Sequence, residues 1–378
     1  MASIVAMHSF HAINMGLGSA YQADPNTVLW VMISALLNGS TVFFTVVSGI
    51  LVSFSSMKRG WGHFYKSKAI YLVLPYMVFT AVWTLFDWRY DTGLTVFSGS
   101  FPDYLGKVFE KGWKGTGSYQ LWYIPVLCVM LLLTPALRYL LKSPARYWVL
   151  AILLIVPLFY SRSFPGKGLN NVAYFLGPYG FGIWLGARFD ERMALLRRAV
   201  PALIAVSVAA TAAAASIYYY VSIPRALAGG PSPFTDWYES AVYVQRMALC
   251  CLILLWFEAR KHWLPRPVEI VADYAFTIYF VHAFVIYCLL ALANIFVPER
   301  PGFAGLLLAG VAMWALALAL SVALTRGLTL LTGDKSKMLV GSASASARPA
   351  PQTHSAHQQH AEQPKEQRQT GNVEQQLR

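Results

Sequence analysis

Long apolar segments alternate with short charged connections over most of the chain, up to about residue 332. A helix needs about 20 largely apolar residues to cross the hydrocarbon core of a membrane. On this criterion ten segments are candidates, the fifth of them short, at about residues 1–19, 29–53, 69–87, 120–141, 147–160, 172–189, 199–221, 239–257, 270–296 and 303–332. The pattern therefore predicts an all-α, polytopic membrane protein with about ten transmembrane helices.

Lysine and arginine are concentrated in every second connection between these helices. The basic connections are 54–68, 138–147, 187–198 and 258–267. The intervening connections are balanced or nearly neutral, as in 88–119 and 222–238. Because basic loops are retained on the cytoplasmic side of a membrane, all the basic connections are predicted to be cytoplasmic. Both termini are then cytoplasmic as well.

The overall composition excludes an ordinary soluble domain. Apolar residues make up 57% of the chain and charged residues only 12%, about half the charged share of a typical soluble protein. The formal net charge of +13 is spread through short loops, which argues against a nucleic-acid partner. The four cysteines lie inside apolar runs without metal-binding spacing, so neither a metal site nor a disulfide framework is predicted.

The composition changes abruptly after Thr332, where serine, alanine, glutamine, histidine and proline predominate. Such a segment cannot bury a hydrophobic core, so residues 333–378 are predicted to form a disordered cytoplasmic tail. Residues 1–332 then form a single membrane-embedded domain. Its longest outer connection, 88–119, is rich in glycine and aromatic residues, which suits either an ordered, sugar-facing surface or an interfacial connection.

Three of the eight histidines lie in the predicted spans: His8, His11 and His282. Ionisable side chains inside a membrane are costly and usually face a functional cavity. A histidine can accept and donate a proton near neutral pH, as general acid–base catalysis requires. His8 and His11 are three residues apart and share one helical face, while His282 lies near Tyr279 in the ninth span. These residues are candidates for catalytic or supporting roles.

Six sequence motifs follow one another in the order typical of a known family. They are VAMHSF in the first span, VFFTVVSGILV in the second, KSKAIYLVLPYMVFTAVW at the third, QLWYIPVLCVMLLLTP in the fourth, YFLGPYGFGIWLGARF in the sixth and DYAFTIYFVHAF in the ninth. Over about residues 1–330 the chain resembles the acyltransferase 3 family. The members of this family are integral membrane enzymes that O-acylate sugars of cell-surface or exported glycans.

The resemblance implies an O-acetyltransferase of the bacterial inner membrane that moves an acetyl group from acetyl-CoA to a sugar hydroxyl. The acceptor would be an exopolysaccharide or lipopolysaccharide, either exported or carried on a lipid. Partners would be the lipid bilayer, the acyl-CoA donor, the glycan acceptor and other polysaccharide-assembly proteins.

The resemblance implies a catalytic histidine in the first span, and this position matches His8. His8 is therefore the candidate general base, whereas His11 has no clear counterpart in the family. An arginine that precedes this histidine in the family has no equivalent in the chain. We expect the start codon to have been assigned downstream of the true one.

Acetyl-CoA is expected as a substrate, with no bound cofactor. Its phosphates would meet basic residues at the cytoplasmic mouth, whose alternative role is to set the topology: Lys58, Arg59, Lys66 and Lys68. Two small residues in the second span, Ser48 and Gly49, would let the pantetheine arm approach the backbone or would allow close helix packing.

Two other functions fit the same membrane architecture. A secondary transporter or flippase for lipid-linked sugars would use membrane histidines to relay protons. It predicts paired broken helices and charged residues at mid-membrane, and the spans show few of either. A catalytically inactive relative would instead act as an assembly subunit, an alternative raised by the missing arginine.

Overall fold

The apolar segments form helices close to the positions that hydropathy predicts. The computed structural model describes residues 1–16, 27–54, 60–89, 93–159, 162, 171–224, 236–261, 263–296 and 302–341. The helices of the first half are α1 (Ala2–Gly16), α2 (Thr27–Leu37), α3 (Thr41–Phe54), α4 (Gly60–Lys68), α5 (Leu74–Leu85), α6 (Phe101–Lys114), α7 (Tyr123–Leu140) and α8 (Arg146–Phe159). Those of the second half are α9 (Asn171–Ala187), α10 (Phe189–Arg198), α11 (Val200–Ile217), α12 (Asp236–Ala259), α13 (Arg266–Asp273), α14 (Ala275–Phe296), α15 (Phe303–Thr332) and α16 (Ser336–Leu339). Short π-helical segments, Ala69–Val73 and Tyr218–Ser222, join α4 to α5 and extend α11.

Seven helical stretches in the described part of the chain are long and apolar enough to cross a membrane. They are Leu29–Phe54, Gly60–Leu85, Tyr123–Leu140, Val200–Ser222, Trp237–Ala259, Ala275–Ile295 and Phe303–Leu339. Helices α1, α8 and α9 occupy the remaining three predicted positions and contain 15, 14 and 17 residues. The prediction of a helical, multi-pass membrane protein is thus confirmed.

The second predicted span is broken into two helices by a tight turn at Asn38, Gly39 and Ser40. Gly39 has a positive φ of 75°, a conformation that residues with a side chain disfavour. The Asn38 side chain accepts a hydrogen bond from the Gly39 main-chain N–H at 2.8 Å, and the Ser40 hydroxyl donates to the Leu37 carbonyl at 2.7 Å. Polar residues inside an apolar run thus end α2 before α3 begins.

Helices α3 and α9 cross at almost backbone contact, because glycines line both sides of the crossing. A Cβ atom on Gly49 would lie 2.3 Å from the Tyr179 carbonyl oxygen. A Cβ atom on Gly182 would lie 2.1 Å from the Val46 carbonyl oxygen. Gly49 is therefore covered by α9, which corresponds to the packing alternative for this residue.

Gly49→Ala is expected to force the two helices apart and to lower the free energy of unfolding by about 1–3 kcal/mol. The matched control is Gly327→Ala, since a Cβ at Gly327 has no atom within 4 Å and alanine favours a helix. Thermal unfolding of the purified variants in detergent measures the difference. Equal melting temperatures for the two variants would mean that the crossing relaxes without cost.

The outer connection 88–119 contains an antiparallel hairpin and the amphipathic helix α6. Strand β1 (Phe86–Arg89) pairs with β2 (Gly93–Val96), a small departure from the all-helical prediction. Helix α6 leaves three aromatic side chains exposed: Phe101, Phe109 and Trp113. Exposed aromatic residues beside a membrane favour the interfacial alternative for this connection.

Helical structure continues past the predicted end of the membrane domain at Thr332. A 3₁₀ turn (Gly333–Lys335) leads into α16. The Thr277 hydroxyl donates to the Val340 carbonyl at 2.7 Å and ties the segment to α14. The start of the predicted disordered tail is therefore ordered, because it packs on the bundle, while residues 342–378 lie outside the described part of the chain.

Candidate active site

Two of the histidines singled out in the sequence meet inside the helix bundle. The rings of His8 on α1 and His282 on α14 have centroids 5.4 Å apart, and the Tyr119 ring lies 4.6 Å from that of His8. His282 is fully buried, whereas His8 keeps part of its surface accessible. We refer to His8, Tyr119 and His282 as the histidine cluster.

Helix α1 is held in place by contacts with α15. The Phe10 ring packs directly on Gly310, where a Cβ atom would lie 2.1 Å from that ring. The Trp314 indole N–H donates to the Ala2 carbonyl at 3.0 Å. Together these contacts fix the rotation of α1 and therefore the direction in which His8 points.

The ring of His282 is oriented by its own helix. Its Nδ1 lies 2.8 Å from the Ile278 carbonyl oxygen, one turn earlier in α14. Since a carbonyl oxygen can only accept, this contact assigns the proton of the neutral ring to Nδ1 and leaves a lone pair on Nε2. Nε2 is buried without a hydrogen-bond partner among the described residues. It is therefore available to accept a hydrogen bond from His8 or from a bound hydroxyl.

The turn between α6 and α7 supplies two further residues that were not predicted from the sequence, Tyr119 and Gln120. The Gln120 side chain donates to the Phe280 carbonyl at 3.4 Å, and the Tyr279 hydroxyl donates to the Gln120 carbonyl. These hydrogen bonds hold the turn against α14, close to His282. The available sequence signal was a polar glutamine at the start of an apolar span.

The other two residues predicted for this site, Tyr279 and His11, have different neighbours. The Tyr279 ring lies 6.4 Å from that of His282 and 6.3 Å from that of Phe44 on α3. His11 instead faces Trp30 of α2, with ring centroids 5.5 Å apart. His11 therefore has its own neighbours, although it shares a helical face with the catalytic candidate.

The predicted donor-binding residues are spread along α3 and α4. Lys68 is partly buried with its Nζ 5.5 Å from the centre of the Phe64 ring, and Lys66 is exposed. Ser48 lies on α3 beside the Tyr123 hydroxyl. Two candidates fall outside the described part of the chain: Lys58 and Arg59.

A second group of polar residues, also not predicted from the sequence, surrounds the broken span. Arg162 binds the Glu239 carboxylate through its main-chain N–H at 2.6 Å and its guanidinium at 3.3 Å. Burial alone lowers the pKa of Arg162, but the charge of Glu239 and its hydrogen bond, together with the neighbouring Tyr174 and Tyr238, raise the pKa overall. Arg246, which is 1% exposed, donates to the carbonyls of Asn38 at 2.6 Å and Ala35 at 3.3 Å. Arg246 thus satisfies carbonyls that the end of α2 leaves without helical partners.

The histidine cluster is suited to holding and moving a proton. It combines two imidazoles with a phenol inside a bundle that excludes most water, where such groups act as general acids and bases. In the residues that the structure covers, no three histidine, cysteine, aspartate or glutamate side chains are grouped to hold a metal ion. The contact of two imidazoles with a phenol suits acid–base chemistry on a bound substrate.

Comparison with protein families gives a match over most of the chain. The family model for acyltransferase 3, described as an acyltransferase domain, matches residues 1–326. The chain belongs to the acyltransferase 3 family. Searches of curated proteins and of solved structures found no match.

Membership of the acyltransferase 3 family confirms the resemblance carried by the six motifs. The match includes all three residues of the histidine cluster and both helices of the broken span. As an acyltransferase 3 protein with several membrane-spanning helices, the chain is a membrane acyltransferase. Its substrates are an acyl donor and an acyl acceptor.

Proposed function

We propose that this membrane acyltransferase is an O-acetyltransferase of the bacterial inner membrane. It moves an acetyl group from acetyl-CoA to a sugar hydroxyl of an exopolysaccharide or lipopolysaccharide. The observation that carries the proposal is the contact of His8 with His282 and Tyr119 inside the bundle. A histidine in such a setting supplies the proton acceptor that ester formation from a thioester needs.

In the proposed reaction His8 is the general base. Its imidazole takes the proton of the sugar hydroxyl while the hydroxyl oxygen attacks the thioester carbonyl carbon. The new C–O bond forms, the C–S bond breaks, and the protonated imidazole returns its proton to the departing thiolate. The products are the acetyl ester of the sugar and free coenzyme A, so that atoms and charge balance.

The other members of the cluster have supporting roles in this proposal. His282 presents the lone pair of its buried Nε2 beside His8 and acts as a positioning residue for that ring. The Tyr119 hydroxyl is our candidate donor to the oxyanion that forms on the thioester carbonyl. Tyr279 supports Tyr119 indirectly, since it donates a hydrogen bond to the adjacent Gln120.

The transport alternative predicts broken helices and buried charges, and the described residues contain one such break and a buried ion pair. Both have a structural explanation in this bundle. Arg246 binds the carbonyls at the break, and Arg162 pairs with Glu239. These charges are engaged with their neighbours, whereas a proton relay needs groups that exchange partners. The acyltransferase assignment is therefore the better supported of the two.

The test of this function is acetyl transfer by the purified protein in lipid nanodiscs. With labelled acetyl-CoA and surface polysaccharide from cells that lack the gene, we expect label in base-labile sugar esters. In intact cells, the O-acetyl NMR signals of the polysaccharide should disappear on gene deletion and return on complementation.

Two other outcomes would contradict the proposal. Loss of polysaccharide from the surface, without labelled ester in the nanodisc assay, would support transport. Fully acetylated polysaccharide after gene deletion, together with no transfer by the purified protein, would support an inactive relative.

A further inference from the structure

The segment that follows α15 folds back over the end of the bundle that the charge pattern assigns to the cytoplasm. It lies beyond residue 326, where the family match ends. Its anchors are the hydrogen bond from Thr277 to the Val340 carbonyl at 2.7 Å and the packing of Gly341 on the Phe276 ring. Because the segment is tied to α14 at these points, the charged residues it carries have defined positions.

One of these charged residues, Lys337, is brought next to a donor-binding candidate. The Nζ of Lys337 lies 4.7 Å from the centre of the Tyr71 ring, and Tyr71 follows Lys68 by one turn of the same continuous helix. The Lys68 ammonium lies 5.5 Å from the Phe64 ring. Neither lysine takes part in an ion pair with the residues that the structure describes. Two like charges held together in this way raise the local potential that attracts an anion.

The segment that carries Lys337 and the histidine cluster are both attached to helix α14. Helix α14 runs from Thr277, which anchors the segment, to His282, a rise of about 8 Å along the helix axis. In acetyl-CoA an extended pantetheine arm separates the phosphates from the reactive thioester. A phosphate at the lysine pair would therefore place the donor at the same end of α14 as the histidine cluster.

We propose that Lys337 and Lys68 together bind a phosphate group of the donor, the 3′-phosphate of acetyl-CoA. The inference rests on the proposed function and extends it to a residue outside the family match. A lysine binds phosphate as a compact point charge, so a pair of them suits a dianionic phosphate monoester. The same chemistry would also attract the phosphates of anionic lipids, and the experiment separates these sources.

The test compares two donors on the full-length protein in phosphatidylcholine nanodiscs and, in parallel, in phosphatidylglycerol nanodiscs. Dissociation constants are measured for acetyl-CoA and for 3′-dephospho-acetyl-CoA with the wild type and Lys337→Gln. We expect the substitution to weaken acetyl-CoA binding about 5-fold and to leave dephospho-acetyl-CoA binding unchanged. Lys337→Arg should restore the difference between the dissociation constants of the two donors. The matched control is Lys335→Gln, an exposed lysine of the same segment, which should change neither constant.

Three outcomes would overturn the inference. Equal weakening of both donors would show that Lys337 acts on the fold of the segment and not on the phosphate. An unchanged acetyl-CoA constant would show that it makes no contact, and an effect confined to phosphatidylglycerol nanodiscs would assign it to lipid. Wild-type protein that binds neither donor would refute acetyl-CoA as the substrate and thus the proposed function itself. Failure of the proposed function is in this way distinguished from failure of the Lys337 inference.

Discussion

Replacing His8 with alanine is expected to reduce acetyl transfer by about 10²- to 10⁴-fold while the protein remains folded. The substitution removes the proton acceptor from the contact with His282 and Tyr119, so the sugar hydroxyl must attack without losing its proton. Alanine also favours a helix, which leaves α1 intact. The measurement is the rate of labelled acetyl transfer in nanodiscs, with size-exclusion chromatography and thermal unfolding as tests of folding.

His11→Ala is the matched control for this substitution. His11 lies on the same helix but faces Trp30, so its removal should leave most of the transfer activity. If His282 acts through His8, the double variant His8→Ala, His282→Ala should be no slower than His8→Ala alone. Full activity of His8→Ala at equal protein level would refute the base assignment. Equal loss in the His11→Ala control would indicate that α1 packing, and not proton transfer, was disturbed.

The membrane architecture was predictable because it depends on local composition. An apolar run of about 20 residues specifies a span wherever it occurs, and loop charges add its direction. The break at Asn38 was not predictable in the same way. An Asn-Gly-Ser sequence ends a membrane helix stably only when the released carbonyls find donors. Here a donor is Arg246, which lies 208 positions further along the chain.

The candidate site was likewise predictable only in part. Single residues could be recognised from the local sequence, whereas the contacts between them could not. His8 and His282 were recognisable singly, because histidine is scarce in membrane spans. Their contact depends on the packing of α1 against α14, and no local pattern encodes it. Tyr119 was harder to recognise, since a tyrosine at the end of a span is typical of the aromatic belt. Its role is suggested only by the folded turn that brings it to His8.

Arg246→Met is expected to cause a large loss of stability. The substitution removes the guanidinium that donates to the carbonyls of Asn38 and Ala35. The Ala35 carbonyl keeps the Gln245 amide as a donor at 2.9 Å, whereas the Asn38 carbonyl loses the Arg246 donor inside the bundle. The free energy of unfolding should fall by about 1.5–3 kcal/mol. Arg246→Lys keeps the charge and part of the donor capacity, so it should recover part of the loss. Thermal unfolding in detergent, followed by circular dichroism, measures both variants.

The control for this substitution is Arg198→Met, because Arg198 is exposed in the last turn of α10 and should tolerate the change. The rate of acetyl transfer then shows whether Arg246 caps α2 or binds a substrate. Helix α3 carries Phe44, whose ring lies 6.3 Å from that of Tyr279, so loss of the cap would also disturb one wall of the site. If Arg246 caps α2, transfer by Arg246→Met should fall together with the folded fraction. A variant as stable as the wild type but slow in transfer would refute the capping role and indicate a contact with the acceptor, since a buried cation with no structural task is typical of a substrate site.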